Sequence, residues 1–427
     1  MRQMKDSGIE WIGEIPAEWE VNPLFSLFEE RKCKNIKLKE SNVLSLSYGK
    51  IIKRDIETNM GLLPESFETY NIVETGNIIL RLTDLQNDKT SLRTGLVTKQ
   101  GIITSAYIAI ENKNNVQSSF FSYLLHTYDT LKVFYMMGNG VRQNLKFAEL
   151  SRLPLLIPSI PEQRSIADYL DAQCARIDET MELVRQSREK LRAYKLSLIT
   201  EVVTRGLDPD APMKDSGVPW IGEIPVGWEL VPLKKQLDSI VDYRGKTPEK
   251  TEFGIFLVTA KNIKNGKIDY SLSQEYVSEK DYLSIMKRGL PKKGDILFTT
   301  EAPLGEVALV DKENIALAQR VIKFRVKKSI LNSIFLKYWI MSSGFQFFLQ
   351  SLSTGSTAEG IKASKIFMLP LVLPSLDEQQ RIAAYLDEKC ARINALLAEK
   401  DELLGKLAEY KKSLIFECVT GKREVAA

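Results

Sequence analysis

Basic and amide side chains are concentrated in a few short segments of the chain, several of them rich in glycine. Arg and Lys suit hydrogen bonds to guanine, Asn and Gln suit adenine, and Ser or Thr can bond a base or a phosphate. Two glycines within 138–146 would let the backbone approach a phosphate closely. The candidates in the first half are Arg81, Thr83, Gln86, Asn87, Lys89, Arg93, Arg142, Gln143, Asn144 and Lys146.

The second half offers a comparable set of polar side chains in segments that we expect to be loops. For any single residue a solvated loop surface is the simpler explanation, whereas for the clusters contact with DNA is an equal alternative. The candidates are Tyr243, Arg244, Lys246, Lys261, Asn262, Gln319, Arg320, Ser356, Thr357, Lys362 and Lys365.

No set of catalytic residues is visible in the sequence. Residues 245–247 resemble the end of a phosphate-binding loop, but Ile240 stands where its first glycine is required. There is no G-x-G-x-x-G turn, and no Asp/Asn-Pro-Pro-aromatic tetrapeptide of the kind an amino-methyltransferase needs. The single histidine, His126, excludes a His-rich metal site, and the four cysteines form no C-x-x-C pair. We therefore predict a chain without catalytic residues, metal or cofactor.

The positive charge lies in two separate blocks. Residues 25–152 contain 17 Lys and Arg against 13 Asp and Glu, and residues 234–368 contain 22 against 14. The rest of the chain must then be negative, because the net charge of the whole is +4. Such a distribution is typical of proteins that bind a polyanion, although many soluble domains reach similar values by chance.

The segments that flank these blocks each occur twice in the sequence. Residues 4–24 and 213–233 are identical at 15 of 21 positions, and we call them the opening motifs. A second repeat relates 153–178 to 369–394, and a third relates 194–204 to 410–420. The blocks between the repeats share little beyond a pattern of short strands and loops. Similar frames around unlike inserts indicate one scaffold that presents two different binding surfaces.

Each repeated segment after a block predicts one long helix. Ser159 and Ser375 are each followed three residues later by Glu, as in a capping box. Apolar residues then recur every seven positions, with Leu170 first in one helix and Leu386 in the other. This spacing predicts an antiparallel coiled coil about 60 Å long that relates the two blocks by a pseudo-two-fold axis. Polar residues interrupt the heptads at Arg188, Lys195, Lys400 and Lys411, where they either extend to solvent or set the register.

The overall prediction is a mixed α/β protein with an internal repeat. Within the blocks, strands are expected at 76–82, 101–110 and 294–300, among others, and amphipathic helices at 118–135 and 330–349. The sequence starts without a signal-like apolar segment and contains no stretch long enough to span a membrane, so we expect a cytoplasmic protein.

The chain resembles the specificity subunits of type I restriction–modification systems. Three features show the resemblance: the doubled DSGxxWIGEIPxxWE, the doubled LPLxxPSxxEQxxIAxYLD, and the strands GNIILRLTD and GDILFTT. They occur in the order found in that family and cover essentially the whole chain. The resemblance implies target-recognition domains at 1–158 and 207–374, and helical arms at 159–206 and 375–427.

The resemblance also implies partners. Each target-recognition domain would recognise one half of a split, asymmetric site in double-stranded DNA. The arms would set the distance between the halves and bind two modification subunits, which use S-adenosylmethionine to methylate adenine. Motor-nuclease subunits, two where they are present, would use ATP and Mg²⁺. The sequence leaves open whether they join the complex.

Two alternatives from other functional classes remain open at this point. A self-sufficient modification enzyme with degenerate motifs would bind S-adenosylmethionine by itself. A protein–protein scaffold would bind DNA weakly and without sequence preference, even in the presence of its partners.

Overall fold

The computed structural model describes residues 2–54, 64, 66–88, 90–113, 115–137, 144–243, 248–353, 360–361, 363–366 and 368–425. Contacts between residues divide the chain into two compact units. Unit 1 comprises Met1–Val184 and Glu402–Ala427, and unit 2 comprises Arg185–Asp401. Each unit therefore contains one variable block and a part of each predicted long helix.

Unit 1 contains short strands and short helices around a four-stranded sheet. The strands are β1 Met4–Asp6, β2 Glu14–Pro16, β3 Glu20–Pro23, β4 Phe28–Glu30, β5 Leu44–Ser47, β6 Lys50–Lys53, β7 Asn71–Val73, β8 Ile78–Leu80, β9 Thr94–Leu96, β10 Gly101–Ile103, β11 Ile108–Asn112 and β12 Pro154–Ile157. The helices are α1 Ser118–Thr130, α2 Val133–Met137, α3 Phe147–Leu150 and the long α4 Ile160–Arg205, which continues into unit 2. The four-stranded antiparallel sheet has the order β4-β11-β8-β9.

Unit 2 repeats this plan with a larger insert. Its strands are β13 Met213–Asp215, β14 Glu223–Pro225, β15 Glu229–Pro232, β16 Leu237–Asp242, β17 Ile255–Val258, β18 Ile263–Lys264, β19 Lys267–Ile268, β20 Tyr276–Val277, β21 Ile296–Thr300, β22 Leu304–Leu309, β23 Ile315–Leu317, β24 Val321–Val326 and β25 Pro370–Leu373. Its helices are α5 Glu279–Ile285, α6 Ser333–Met341, α7 Ser343–Leu352, α8 Ala363–Ile366 and the long α9 Leu376–Val419, which continues into unit 1.

The four-stranded sheet of unit 2 has the order β16-β24-β21-β22, so each strand has a counterpart in unit 1. The inner strands β8 and β21 are buried along their whole length, which explains their continuous apolar runs. The opening motif of each unit forms a small hairpin, β1–β2 or β13–β14, and its last strand pairs with the strand that precedes the long helix. The described parts of the two blocks thus share a fold despite their unlike sequences.

The opening motif and the long helix of each unit are joined by an indole–carboxylate hydrogen bond. Trp19 Nε1 donates to Glu162 Oε2 at 2.9 Å, and Trp228 Nε1 donates to Glu378 Oε2 at the same distance. The predicted capping box is therefore formed only in part. The Ser159 hydroxyl accepts the backbone N–H of Glu162, while the Glu162 side chain binds the tryptophan instead of turning back to the cap.

The residue after each of these glutamates, Gln163 or Gln379, hydrogen-bonds the variable block to the start of the long helix. Gln163 donates Nε2 to the Pro158 carbonyl, and its Oε1 accepts the backbone N–H of Gln117 at the start of α1. Gln379 makes the equivalent bonds to Pro374 and Asn332. Both glutamines are fully buried, so an unmade bond would leave a buried amide without a partner.

Within each unit, a part of α4 packs against a part of α9. Leu170 and Ile177 of α4 share the core of unit 1 with Leu414 and Cys418 of α9. In unit 2, Leu198 of α4 shares a core with residues of α9 that include Leu386. The predicted heptad residues thus form helix–helix contacts in both units, and three of the four cysteines are buried by this packing.

Polar side chains at the interrupted heptad positions bind partners on the facing helix. In unit 2, Arg188 donates to Asp401 and Lys195 donates to Asn394 Oδ1 at 2.8 Å. In unit 1, Lys411 Nζ donates to Asp178 Oδ1 at 2.6 Å. The two pairs in unit 2 run in opposite directions along the helices, which makes the pairing there antiparallel. Three of the four interrupting residues are thus hydrogen-bonded to the facing helix.

Some of the predicted elements are divided in the structure. The helix expected at 118–135 is two helices, α1 and α2, because Lys132 between them has a φ of 65°. The helix expected at 330–349 is also two, since the extended backbone of Ser342 separates α6 from α7. The strand expected at 101–110 is the two strands β10 and β11, with a turn between them.

Lys195 is paired with an amide and Lys411 with a carboxylate, and this difference predicts the effect of one substitution. Burial lowers the pKa of Lys195, so holding its ammonium charged in unit 2 destabilises the fold at neutral pH. We expect Asn394→Asp to raise the free energy of unfolding by about 1 kcal/mol at pH 7, by supplying a carboxylate. The gain should vanish as the pH falls through the lowered pKa of the new Asp. Thermal unfolding from pH 3 to 8 measures it.

The nearest control is Asp178→Asn, which leaves Lys411 facing an amide as Lys195 does and also removes the exposed ion pair between Asp178 and Lys50. It should lower stability at pH 7 by a similar amount, and the effect should fade below pH 4 as the native carboxyl becomes protonated. A destabilising Asn394→Asp would contradict the explanation of these contacts as charge pairing.

Candidate nucleic-acid interface

The first candidate cluster follows the inner strand β8 of unit 1. The loop 81–93 connects β8 to β9, and the backbone N–H of Arg81 donates to the Arg93 carbonyl at 2.8 Å to close it. Gln86 and Asn87 are exposed near the middle of the loop. Asn87 Nδ2 donates to Asp84 Oδ1 at 2.7 Å, which orients its amide. The loop thus presents two exposed amide side chains, one of them oriented, at the end of strand β8.

The structure brings the second cluster of unit 1 against the first. The backbone N–H of Leu145 donates to the Leu82 carbonyl at 2.9 Å, and Asn144 Oδ1 accepts the backbone N–H of Asp84 at 2.7 Å. Asn144 and Lys146 are both exposed beside the loop 81–93. Two segments that are about 60 residues apart in sequence therefore form a single polar surface.

Arg93 requires a correction, because it is fully buried and lies outside this surface. Its guanidinium donates to the backbone carbonyls of Thr83 and Asp88 and to the Tyr135 hydroxyl. Its backbone N–H donates to Asp129, whose pKa burial raises to about 6. Arg93 thus holds the loop from the inside, and its buried guanidinium is not presented at the surface in this conformation.

Acidic groups balance part of the charge at this surface. Asp88 accepts hydrogen bonds from the backbone of Thr90 and Ser91, and the hydrogen bonds from Ser91 hold its pKa well below the ordinary range. Its carboxylate also lies 3.9 Å from the Arg81 guanidinium. Arg81 is about one-third exposed, so it can still present donors to solvent or to a ligand.

In unit 2, the same edge of the sheet carries a different set of side chains. The backbone N–H of Thr300 donates to the Arg320 carbonyl at 3.0 Å, and that of Ile361 donates to the Thr300 carbonyl at 3.0 Å. The second bond is the counterpart of the bond from Leu145 to Leu82. The Arg320 guanidinium is half exposed, and its Nε lies 2.9 Å from Glu301. Here an arginine occupies the edge that carries amides in unit 1.

The remaining described candidates in unit 2 differ in exposure. Lys261 is exposed, while Gln319 and Lys365 are partly buried. Asn262 is fully buried, and its amide bonds the backbones of Thr259, Asp269 and Ser273. Asn262 therefore shapes its own turn, and its prediction as a surface contact is wrong for this conformation.

Tyr243 needs the same correction. It is 8% exposed, its hydroxyl donates to the Gly289 carbonyl, and burial raises the pKa of the phenol above its usual range. Eight of the predicted contacts lie outside the described residues: Lys89, Arg142, Gln143, Arg244, Lys246, Ser356, Thr357 and Lys362.

One basic segment is not among the predicted contacts. Residues 287–293 read KRGLPKK and join α5 to β21, and their four cationic side chains are exposed. The density of positive charge in the sequence is the signal that could have identified the segment.

Neither a metal-ligating cluster nor a membrane-spanning helix occurs in the described part of the chain. It contains no group of three or more His, Cys, Asp and Glu side chains that could hold a metal ion. Burial, with Lys411 and Lys412 nearby, lowers the pKa of His126 to about 4, so the imidazole is neutral at pH 7. Among the helices described, none is both long and apolar enough to cross a membrane.

Known proteins match this chain in sequence. The family model of the type I restriction modification DNA specificity domain matches residues 16–193 and again residues 225–404. The MjaVIII specificity subunit of Methanocaldococcus jannaschii is 26% identical, over 96% of this chain and 94% of that subunit. The EcoBI specificity subunit of Escherichia coli is 23% identical, over 63% of this chain and 58% of its own.

Solved structures share the fold at low sequence identity. A chain from a type I R-M system, solved to explain complex assembly and conformational transition, superposes with a TM-score of 0.69 and 17% identity. That match covers 96% of this chain and 99% of the other. The HsdS subunit of Thermoanaerobacter tengcongensis gives a TM-score of 0.51 at 16% identity, over 96% and 98% of the two chains.

The contrast between buried Arg93 and partly exposed Arg81 predicts two different phenotypes. Arg93→Gln should destabilise unit 1 by about 3 kcal/mol, because two loop carbonyls and the Tyr135 hydroxyl would be without their buried charged donor. Arg81→Gln should leave the melting temperature within about 1 °C of the parent, since exposed ion pairs contribute little. Thermal unfolding of the two variants, followed by titration with a DNA duplex, separates the roles. Equal melting temperatures would show that Arg93 does not support the loop.

Proposed function

The chain belongs to the type I restriction–modification DNA specificity domain family, and we propose that each of its two units recognises one half of a bipartite, asymmetric DNA site. One observation carries the proposal. Both units build the same junction at the end of the inner strand, through the bonds from Leu145 to Leu82 and from Ile361 to Thr300, but they equip it with unlike side chains. A common scaffold with two different surfaces suits two unlike half-sites.

The exposed side chains of the two units favour different bases. Gln86, Asn87 and Asn144 in unit 1 offer amides of the kind that form paired hydrogen bonds with adenine. Arg320 in unit 2 offers a guanidinium, which suits guanine or a phosphate. The other proposed contacts among the described residues are Arg81, Thr83, Lys146, Lys261, Gln319 and Lys365. The eight predicted contacts outside the described residues stay proposals on sequence grounds alone.

We assign the target-recognition domains to residues 1–158 and 207–374, and the arms to 159–206 and 375–427. The arms are proposed to form one antiparallel coiled coil with a pseudo-two-fold axis between the halves. The 46 residues of α4 correspond to about 70 Å at 1.5 Å per residue. Half-sites one helical turn apart are separated by about 34–36 Å, which such a pair of helices can span.

The arms are also the proposed docking surface for two modification subunits. Exposed apolar side chains occur on both long helices, among them Leu183, Tyr194, Leu396 and Leu403. Large contiguous patches of exposed apolar surface mark protein interaction sites, so the proposal requires these side chains to form such a patch. In this arrangement the modification subunits use S-adenosylmethionine, and any motor-nuclease subunits use ATP and Mg²⁺. This chain contributes recognition and spacing.

Methylome sequencing tests the proposal directly. Cells that express this chain with its modification partner should gain methyladenine in a split, asymmetric motif that is absent from cells lacking the chain. No new mark, although the partner is bound and active, would favour a protein–protein scaffold. Binding of S-adenosylmethionine by the isolated chain would favour a self-sufficient enzyme.

Exchange of one block provides the internal control for that measurement. Replacing residues 234–368 with the corresponding block of another family member should change only one half of the methylated motif. The unchanged half then reports that the complex still assembles and methylates. A change in both halves would contradict independent recognition by the two units.

The length of the arms predicts the gap between the half-sites. Insertion of one heptad at equivalent positions in α4 and α9 should lengthen the coiled coil by about 10 Å, which corresponds to about three base pairs. The half-site sequences should not change, because the insertion lies outside both blocks. Methylome sequencing of this variant measures the gap, and an unchanged gap would refute the spacing role of the arms.

A further inference from the structure

The 287–293 segment of unit 2 is a basic loop with a defined structure. It contains Lys287, Arg288, Lys292 and Lys293, all exposed, within seven residues. Within the described residues, Lys287, Lys292 and Lys293 take part in no ion pair. Because exposed cations without counter-ions raise the local positive potential, such a surface attracts polyanions.

A buried charge network holds this loop against the sheet. Asp295, which is 4% exposed, accepts two hydrogen bonds from the Arg325 guanidinium at 2.8 and 2.7 Å. Lys323, which is 1% exposed, donates Nζ to the Leu290 carbonyl at 3.0 Å and lies 3.6 Å from Asp295. The backbone N–H of Lys292 donates to Asp295 at 2.8 Å. The loop backbone is therefore hydrogen-bonded to the buried charges at Leu290 and Lys292.

This network is costly for an element without a ligand. Transfer of an ammonium and a carboxylate from water to a protein interior costs several kcal/mol per ion, and the attraction between them does not always offset that cost. Apolar residues of similar volume would often hold a loop equally well. The buried charges are best explained by the need to keep the loop in one orientation.

The first half of the loop contacts the end of β16, the strand that pairs with β24, and Arg320 directly precedes β24. The Arg288 guanidinium donates to the Asp242 carbonyl at 2.5 Å, at the end of β16, and Gly289 accepts the Tyr243 hydroxyl. Asp242 pairs with Ile322, two residues after Arg320. The first half of the loop and Arg320 are thus linked through the neighbouring strands β16 and β24, whereas Lys292 and Lys293 precede Asp295 at the start of β21.

Unit 1 has neither the buried charge network nor the basic loop at the corresponding described positions. Strand register places Asn77, Ala109 and Glu111 at the positions of Asp295, Lys323 and Arg325. At the same offset, the segment that corresponds to 287–293 is residues 69–75, which read TYNIVET and contain no cation. The basic loop therefore belongs to one unit only, and its contribution should be confined to one half of a bound DNA.

We infer that residues 287–293 bind the phosphate backbone of duplex DNA beside the half-site that unit 2 recognises, in the orientation set by Asp295, Arg325 and Lys323. This inference rests on the proposed function and adds to it a contact that positions the DNA without selecting its sequence. Lysines suit that role, since they bind phosphates as mobile point charges.

The test uses the full chain assembled with its modification subunits and a duplex that carries the methylated motif. Combined Lys287→Gln, Lys292→Gln and Lys293→Gln should weaken binding and reduce the slope of log K against log salt by about 0.9 for each phosphate that the loop no longer neutralises. The methylated motif should stay the same. The charge-matched control is Lys5→Gln, Lys99→Gln and Lys214→Gln, three exposed lysines outside the proposed contacts.

Phosphate ethylation interference then locates the contact. Ethylated phosphates beside the unit 2 half-site should stop interfering in the loop variant, while those beside the unit 1 half-site should interfere as before. A loop variant with the salt slope and interference pattern of the control would overturn the inference and leave the proposed function intact. A parent complex without any preference for the motif would overturn both.

Discussion

The hydrogen bond between a tryptophan of the opening motif and the first glutamate of a long helix is the constraint on which each unit depends. Trp19 with Glu162, and Trp228 with Glu378, fix the start of a helix against the hairpin that precedes the block. The neighbouring Gln163 and Gln379 then tie in the block itself. Since both glutamines are fully buried, the joint has little tolerance for change, and this explains why the same residues occur twice.

Around that rigid joint, the variable blocks differ where the chain is exposed and agree where it is buried. The inner strands β8 and β21 are both buried, whereas the exposed side chains near their ends include Gln86 and Asn87 in unit 1 and Arg320 in unit 2. Loops on a common framework can change their side chains without disturbing the core. The family match to both halves of the chain agrees with this division between framework and surface.

Buried polar residues determine how the exposed ones are presented. Arg93 supports the amide-bearing loop of unit 1 through the carbonyls of Thr83 and Asp88, and Asn262 organises a turn of unit 2 through three backbone segments. These residues belong to the chemical classes that bind DNA, yet their hydrogen bonds are used inside the protein. A binding surface thus needs two sets of such residues, one to make contacts and one to orient the others.

The sequence by itself determined the repeat, the two long helices and the heptad residues, because periodicity and self-similarity are local properties of a chain. It also identified the polar segments 81–89 and 138–146, but the bond from Leu145 to Leu82 that joins their described parts connects residues about 60 positions apart in sequence. Tertiary structure alone decided that Arg93, Tyr243 and Asn262 face inward and that Glu162 binds Trp19. The type of a polar side chain specifies what it can bond, whereas its burial, which packing sets, decides whether the partner is the protein or a ligand.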